Sequence, residues 1–448
     1  MRSEAALKTS EKKTKKIRPI ASKGESVDFV LLVVTLVLVA LGLTAVFSAS
    51  YYSSISKGQT PYYYLIRDGI WVALGLALMA FGMMVDYRKY CNGKVVMLAT
   101  GVCYLLLIVV LTPIGSTYNN ASRWIEFGPI SIMPGELIKV GMILFIAWFF
   151  GTKKNRIHDN LRGVLPVVIL MFIAAALIMK QPNLSTAITL CGIVIAMLIV
   201  AGADKKWTIG LMLAGFIGVM GIILFVPGHW SQRFTSFLDP FQDAAGESYQ
   251  VVQSLLALGS GGLTGVGLGK SVQKSLYLPE PQNDFILAII GEETGFIGIL
   301  VLMMIYCIFL WRCARAALKC SDQFGMLLAS GVTLMVAIQV VLNIAVVTSS
   351  MPATGINLPF ISYGGNALMI FMFLAGVVLN ISKGEGRVIP AGEENESNND
   401  RRRHRRTHIS RNSNSRRDKE KVSGVGDTVR RRGKRSGKSS GTTERVRH

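Results

Sequence analysis

The middle of the chain is a succession of long apolar runs separated by shorter polar segments. Most runs approach the roughly 20 residues that an α-helix needs to cross the hydrocarbon core of a bilayer. They do not alternate apolar with polar residues as barrel strands would, so they are predicted to be helices. Ten spans are predicted, at 29–48, 69–85, 95–112, 134–151, 164–179, 184–202, 208–226, 284–311, 325–346 and 360–382.

Lysine and arginine are unevenly distributed among the segments between these spans. One set of segments carries clusters such as Arg88-Lys89 and Lys205-Lys206, whereas the alternate segments carry fewer basic residues. Cytoplasmic loops of membrane proteins are enriched in these two residues. Both termini are therefore predicted to be cytoplasmic, and a long extracellular loop, 227–283, is predicted between helices 7 and 8.

The composition agrees with an all-α polytopic membrane protein. The 448 residues are 51% hydrophobic and 17% charged, against about 25% charged in an average soluble domain. The net charge of +21 comes largely from the two ends. Three parts are predicted: a basic cytoplasmic segment (1–26), a transmembrane domain (27–383) and a disordered basic cytoplasmic tail (384–448).

The basic tail lacks apolar periodicity, which is typical of disorder. It is expected to rest on anionic lipid, and no nucleic-acid partner is expected because no aromatic residue is interleaved with the charges. The six cysteines form no CxxC pair. They are interpreted as small buried apolar residues rather than as a disulfide framework or a metal cluster.

The long outer loop has internal structure. Residues 249–258 show apolar positions at helical spacing, with Gln253 and Ser254 on the opposite side. The segment is too short to span, so a helix at the interface or within the bundle is predicted. The glycine-rich stretch that follows is interpreted as a mobile loop. It does not match a phosphate-binding loop, because Thr264 stands where that motif requires glycine.

Asp284 immediately precedes the eighth predicted span. The N-terminal end of a helix favours an ionised carboxylate. Aspartate is also a common N-cap residue, so its chemistry alone leaves a cap and a catalytic group equally open.

Ionisable residues inside the spans are rarer. Glu136 and Lys139 are three residues apart and share a helix face, which indicates either a functional pair or an ion pair that holds helices together. Glu292 and Glu293 lie about two turns into the eighth span, and a structural role is favoured for them.

Eight motifs occur in an order and spacing that resemble one family. They are Ala-Ser-Arg-Trp (121–124), Pro-Gly-Glu-Leu-Ile-Lys (134–139), Gln-Pro-Asn-Leu-Ser-Thr (181–186), Arg-Phe-Thr-Ser-Phe-Leu-Asp-Pro (233–240), Ser-Val-Gln-Lys (271–274), Leu-Pro-Glu-Pro-Gln-Asn-Asp-Phe (278–285), Gly-Glu-Glu (291–293) and Leu-Pro-Phe-Ile-Ser-Tyr-Gly-Gly (358–365). Over 27–383 the chain resembles the SEDS family of cell-wall polymerases, which includes FtsW, RodA and SpoVE. The resemblance is closest to the division and sporulation branch.

The resemblance implies ten transmembrane helices and a peptidoglycan glycosyltransferase. Such an enzyme polymerises lipid II at the outer face of the bacterial plasma membrane, for septal or spore cell-wall synthesis. It implies a class B penicillin-binding protein and other division or sporulation membrane proteins as partners. The family's essential aspartate corresponds to Asp284, and its conserved outer-loop residues correspond to Arg123, Trp124, Glu136 and Lys139.

The implied reaction assigns roles to the matching residues. The 4-hydroxyl of an acceptor sugar attacks the anomeric carbon of the donor, with Asp284 as base. Arg123, Lys139, Arg233 and Lys274 are predicted to bind the departing diphosphate, and Glu280 is assigned to substrate binding. Trp124 is expected either to stack on a sugar or to anchor at the interface. A divalent cation, Mg²⁺ or Mn²⁺, could share the charge, and no organic cofactor is expected.

Three residues depart from the family pattern. Asn183 and Ser185 stand where the family commonly has Asp and Gly, and Asn366 replaces the usual small residue after Gly-Gly. Two other functions stay open: a flippase for the lipid-linked precursor, which usually shows repeat symmetry, and a non-enzymatic scaffold for a transpeptidase.

Overall fold

A computed structural model describes residues 27–383, except 119–120, 128–129, 153–156, 158–159, 226–236, 238, 243, 245 and 247. Within this part the α-helices are α1 (Phe29–Ser56), α2 (Tyr63–Met84), α3 (Gly93–Val109), α4 (Pro134–Gly151), α5 (Leu165–Met179), α6 (Leu184–Ala201), α7 (Lys205–Phe225), α8 (Tyr249–Gly261), α9 (Ile286–Lys319), α10 (Gln323–Val347) and α11 (Gly365–Ser382). A 3₁₀ turn (Tyr87–Cys91) precedes α3, and a π-helical turn (Asn160–Val164) leads into α5.

The helices follow the predicted spans. Each predicted span falls on one helix, and α8 is the short helix predicted in the outer loop. In the described part of the chain, eight helical segments are long and apolar enough to cross a membrane, whereas α3 is shorter, at 17 residues. The count of ten crossings and their orientation stay predictions, and the predicted terminal segments 1–26 and 384–448 lie outside the described residues.

A small antiparallel sheet adds to the helical architecture. It consists of β1 (Gly115–Tyr118), β2 (Ala121–Phe127) and β3 (Ile130–Ile132), in that order. In its register Trp124 lies opposite Ser116, and Ile125 lies opposite Ile132. β-Branched and aromatic residues favour strands, but an analysis of apolar spans does not register strands this short. The sheet connects α3 to α4 and places β2 beside α4.

Helix packing brings five helices around one end of the bundle. α2 packs along α11, α4 packs against α6 and α10, and α10 also contacts α6 and α11. The core between them is apolar, with Met142, Ile143, Leu190 and Met335 fully buried. Polar residues secure helix ends: Asp28 caps α1 and also forms a 2.6 Å ion pair with Arg312 of α9.

Helix α9 is broken near its outer end. Gly295 has φ 68° and ψ −171°, outside the helical region. The chain after α8 pairs with the break, since the Phe296 N–H donates to the Gly262 carbonyl at 2.9 Å and the Val266 N–H donates to the Glu292 carbonyl at 3.0 Å. Irregular backbone within a membrane is tolerated where protein satisfies its polar groups. The glycine-rich stretch, expected to be a mobile loop, therefore docks on α9.

Helix α8 lies where a helix was predicted, but two of its residues face the opposite way to the prediction. Ser254, assigned by its spacing to the polar side, is buried, and its hydroxyl donates to the Val347 carbonyl at 2.9 Å. Leu256, assigned to the apolar side, is exposed. A serine whose hydroxyl has a backbone acceptor can be buried at little cost, so the smaller face of α8 packs inward.

Candidate active site

A polar cavity of about 320 Å³ lies among α2, α4, α6, α10 and α11, at the end of the bundle predicted to be extracellular. Five of the eight predicted site residues line it, although they come from three separate motifs. They are Arg123, Trp124, Glu136, Lys139 and Asp284. The fold thus brings together residues that are up to 161 positions apart in the chain (284 − 123).

Asp284 lies in the turn before α9 and does not cap that helix. Phe285 holds the N-cap position, and no side chain makes a capping hydrogen bond there. The backbone of Asp284 is fixed by Asn343, whose side-chain amide donates to the Asp284 carbonyl at 2.9 Å and to the Ile356 carbonyl at 2.6 Å. The fully buried Asn343 therefore ties α10 to both the Asp284 turn and the loop before α11.

Gly355 packs directly against the Asp284 carboxylate. Its φ is +70°, which favours glycine, and a Cβ added there would lie 3.0 Å from Oδ2 of Asp284. A side chain at position 355 would therefore push on the carboxylate as well as strain the backbone.

Gly355→Ala is expected to slow the reaction that depends on Asp284 by about tenfold, because even a small displacement of a catalytic group is costly. Gly58→Ala is the matched control: Gly58 has φ +69° but nothing within 4 Å of an added Cβ. Both variants carry the same roughly 1–2 kcal/mol backbone penalty. Equal turnover in the two variants would show that the contact with Asp284 is unimportant.

Glu136 and Lys139 form an ion pair on the cavity wall. Lys139 Nζ lies 2.7 Å from Glu136 Oε1, and the two side chains are 2% and 14% exposed. Oε2 of Glu136 is buried without a hydrogen-bond partner among the described residues. The pair places one cation and one partly unsatisfied carboxylate at the first turn of α4.

Arg123 and Trp124 reach the cavity from β2. The guanidinium of Arg123 donates to the backbone carbonyl of Gln181 at 3.4 Å and to that of Pro182. This contact fastens the sheet to the turn before α6. Trp124 lines the cavity and is partly buried.

Asn183 and Ser185, which depart from the family pattern, lie at the start of α6 and hydrogen-bond to each other. The Asn183 side chain caps α6 by accepting the Thr186 N–H at 3.2 Å and the Ser185 hydroxyl at 3.1 Å. Both Asn183 and Ser185 are buried. Asparagine accepts these bonds through its carbonyl oxygen, so a carboxylate is not required to begin the helix.

Three predicted residues are not placed in this cavity. Lys274 is buried elsewhere, where its ammonium lies 2.7 Å from Glu293 and 2.9 Å from the Ser48 hydroxyl. Glu280 pairs with Lys57 at 2.9 Å on the surface, and this contact raises the pKa of Lys57. Arg233 lies outside the described residues.

Glu292 and Glu293 of α9 are buried and bind the segment 271–274. Glu293 binds Lys274, and Glu292 accepts the Val272 N–H at 2.8 Å as well as the Ser271 hydroxyl. Both carboxylates therefore hold the segment 271–274 against the broken helix, in agreement with the structural role favoured from the sequence.

Several residues that line the cavity belong to none of the eight sequence motifs. Arg67 and Trp71 of α2 and Gln339 of α10 are examples. Gln339 and Asn343 stand four residues apart within an apolar span, and this spacing puts them on one helix face. Polar residues inside a span mark functional sites, so this signal was available in the sequence.

Tyr363 adds a neutral hydroxyl to the cavity wall. The phenol hydroxyl of Tyr363 can donate a hydrogen bond. Its ring packs edge-on against Tyr64 at 5.1 Å between centroids.

No group of three His, Cys, Asp or Glu side chains that could hold a metal ion occurs among the described residues. The cavity does offer the carboxylates of Asp284 and Glu136. Mg²⁺ is often held by one or two carboxylates together with substrate phosphates, so these residues fit a cation that arrives with a diphosphate.

The fold and this cavity define a polytopic helical membrane protein with a charged site at one end of its bundle. Residues 28–386 match the family model described as "Cell cycle protein", that of FtsW, RodA and SpoVE. The chain belongs to this family.

Several relatives are similar over most of their length. Stage V sporulation protein E of Bacillus subtilis (strain 168) is 40% identical over 365 residues, covering 81% of this chain and 99% of that protein. A probable peptidoglycan glycosyltransferase FtsW of Geobacter metallireducens is 36% identical over 359 residues, covering 80% of this chain and 95% of that protein.

Solved structures share the fold. A chain from a study of "structural coordination of polymerization and crosslinking by a peptidoglycan synthase complex" aligns with a TM-score of 0.67 and 26% identity, covering 81% of this chain and all of that one. The rod shape determining protein RodA of Thermus thermophilus aligns with a TM-score of 0.58 and 27% identity, covering 81% of this chain and 98% of RodA.

Proposed function

We propose that this chain is a peptidoglycan glycosyltransferase that polymerises lipid II at the outer face of the bacterial plasma membrane. The observation that carries the proposal is the placement of Asp284 in a cavity with Arg67, Arg123 and Lys139. The Asp284 carboxylate and several cations match a reaction that removes a proton from a sugar hydroxyl and releases a diphosphate.

The proposed reaction is an inverting transfer. The acceptor's 4-hydroxyl forms a bond to the anomeric carbon of the donor, and the bond from that carbon to the polyprenyl diphosphate breaks. Asp284 takes the hydroxyl proton as a general base. The diphosphate is a good leaving group, so a second carboxylic acid is not demanded, unlike in glycoside hydrolysis.

The cations of the cavity would stabilise the leaving diphosphate. Lys139 is already paired with Glu136, whereas the Arg67 side chain donates to the neutral Tyr63 hydroxyl at 3.1 Å and forms no ion pair with a described carboxylate. Arg67 therefore carries charge that a phosphate group can neutralise. A bound Mg²⁺ or Mn²⁺, held by Asp284 or Glu136, would add Lewis-acid charge at the same place.

Arg67→Ala is expected to raise the KM for lipid II by about ten- to a hundredfold, since a hydrogen bond to a charged group contributes roughly 1.5–3 kcal/mol. Arg67→Lys should recover part of the loss, because lysine keeps the charge but not the forked geometry. Steady-state kinetics with purified protein measure both. An unchanged KM in Arg67→Ala would exclude a role in phosphate binding.

We also propose that the protein acts in septal or sporulation-specific cell-wall synthesis. Its proposed partner is a class B penicillin-binding protein. Support comes from the similarity to a stage V sporulation protein and to FtsW proteins. Further support comes from the structural match to a chain of a peptidoglycan synthase complex.

The decisive experiment is polymerisation of lipid II by the purified full-length protein, alone and with its partner. Glycan strands formed with the protein and absent with Asp284→Ala are expected. A flippase would move lipid II across vesicles without lengthening it, and a scaffold would stimulate the partner even with Asp284 replaced. Either result would overturn the proposal.

A further inference from the structure

A second, larger cavity lies on the opposite side of the loop before α11. It has a volume of about 910 Å³, and its walls are α1 and α9. Leu41 and Val301, which line it, are 38% and 46% exposed on helices long and apolar enough to cross a membrane. The cavity is therefore a groove that opens toward the hydrocarbon region of a bilayer.

The groove is elongated along the helices. Its lining extends on α1 from Leu41 to Tyr52 and on α9 from Ile290 to Ile305. At 1.5 Å per residue the α1 stretch measures about 16 Å, or more than half of the roughly 30 Å hydrocarbon core. An extended hydrocarbon chain fits this shape better than a compact ligand.

Two threonines along the groove already have backbone acceptors for their hydroxyls. The Thr44 hydroxyl donates to the Leu41 carbonyl at 2.8 Å, and the Thr294 hydroxyl donates to the Ile290 carbonyl at 2.6 Å. Because both hydroxyls are bonded to the backbone, these two threonines can contact a ligand through their methyl groups. Apolar surface of this kind favours a chain of CH₂ and CH₃ groups over a polar ligand.

The ionic residues in the groove compensate each other. Lys274 and Glu293 lie 2.7 Å apart, and both contact the hydroxyl of Ser48. Both charged side chains are at least 95% buried. This neutral cluster offers no net charge to a diphosphate, so the groove fits the tail of a lipid and not its charged head.

The groove starts close to the proposed active site. Ile290 is four residues into α9, about 6 Å along the helix from Ile286, and Asp284 lies in the turn just before it. The loop before α11 separates the two cavities, with Ile361 on the groove and Tyr363 on the Asp284 cavity. A chain in the groove could thus present its head group to Asp284 around the outer end of α9.

We propose that the α1–α9 groove binds the polyprenyl chain of one of the two lipid-linked substrates. This inference rests on the proposed function, because polymerisation joins two molecules that each carry such a chain. The groove seats one chain and leaves the Asp284 cavity to the sugars and the diphosphate of the reacting pair.

Photo-crosslinking tests the site independently of turnover. A benzophenone amino acid is placed at position 301 or at position 300 of the full-length protein in phospholipid nanodiscs. Leu300 is the matched control, since it is 54% exposed on the same helix but does not line the groove. Radiolabelled polyprenyl diphosphate is the probe, and unlabelled lipid II is the competitor.

We expect labelling at position 301 that unlabelled lipid II suppresses. At position 300 we expect weak labelling that lipid II does not suppress. Equal labelling at the two positions, or attachment of bulk phospholipid only at 301, would overturn the proposal. The experiment is repeated with Asp284→Ala, which should label as the wild type does. Specific labelling of the wild-type protein together with no glycan synthesis by that wild-type protein would contradict the proposed function and leave the groove assignment intact.

A second variant links the groove to turnover. Val301→Trp fills the groove and is expected to lower kcat/KM for lipid II by about tenfold or more, whereas Leu300→Trp should not. The loss of buried contacts to several CH₂ groups of the chain sets this size. Equal kcat/KM in the two folded variants would contradict the assignment.

Discussion

Asp284→Ala is expected to insert, fold and bind lipid II but to lose glycan synthesis by about 10²–10⁴-fold, the usual contribution of a positioned general base. The structural reason is that the backbone of the Asp284 turn is held by Asn343 and not by the Asp284 side chain. Removing the carboxylate should therefore leave the turn in place. Gel analysis of glycan strands from purified protein and lipid II measures the loss.

Glu280→Gln is the companion variant. Glu280 belongs to the same sequence motif and was assigned to substrate binding, but it lies outside the Asp284 cavity and pairs with Lys57 on the surface. It should retain most of its activity. Wild-type synthesis by Asp284→Ala, or equal loss in both variants, would contradict the assignment of Asp284 as the base.

The helical architecture was predictable because apolar runs in a membrane protein carry a strong and local signal. A run such as 184–202 has one physical solution in lipid, since its backbone groups must bond within the segment. Helix α6 indeed covers Leu184–Ala201. The ends of helices depend on side chains and neighbours, and there the agreement is looser: the first span was predicted to end at residue 48, but α1 continues to Ser56.

The site was predictable only as far as its motifs extend. Glu136 and Lys139 were paired correctly because residues three apart on a helix share a face, and the structure gives them a 2.7 Å contact. Lys274 was assigned to the leaving diphosphate on the basis of its charge. Its partner Glu293 lies 19 residues later, two residues before a helix break at Gly295 that no local pattern predicts.

The residues missed by the sequence analysis share one cause. Arg67, Gln339 and Gly355 each meet the cavity through packing between helices or loops distant in sequence. One chain without aligned homologues contains no direct signal for such contacts. Polar residues within apolar spans are the best substitute, because burying them without a partner costs free energy.

The Glu136–Lys139 pair provides the second large effect. Glu136→Gln or Lys139→Met alone should destabilise the protein by roughly 3–5 kcal/mol, because each leaves one buried charge uncompensated. The double variant Glu136→Gln/Lys139→Met should recover most of that stability, since it removes both charges. We expect its glycan synthesis to stay low, because the cavity has lost the Lys139 ammonium. Thermal unfolding in detergent and polymerisation assays measure the two properties separately.

Lys57 and Glu280 form the matched surface pair for this comparison. Their side chains are 46% and 52% exposed, and an exposed ion pair contributes about 0–1 kcal/mol. Lys57→Met and Glu280→Gln should therefore shift the unfolding temperature little, singly or together. A stable double variant at 136 and 139 with wild-type synthesis would show that the buried pair has only a structural role. A stable double variant without synthesis would mean that the cavity needs the charges themselves, at the wall facing Asp284.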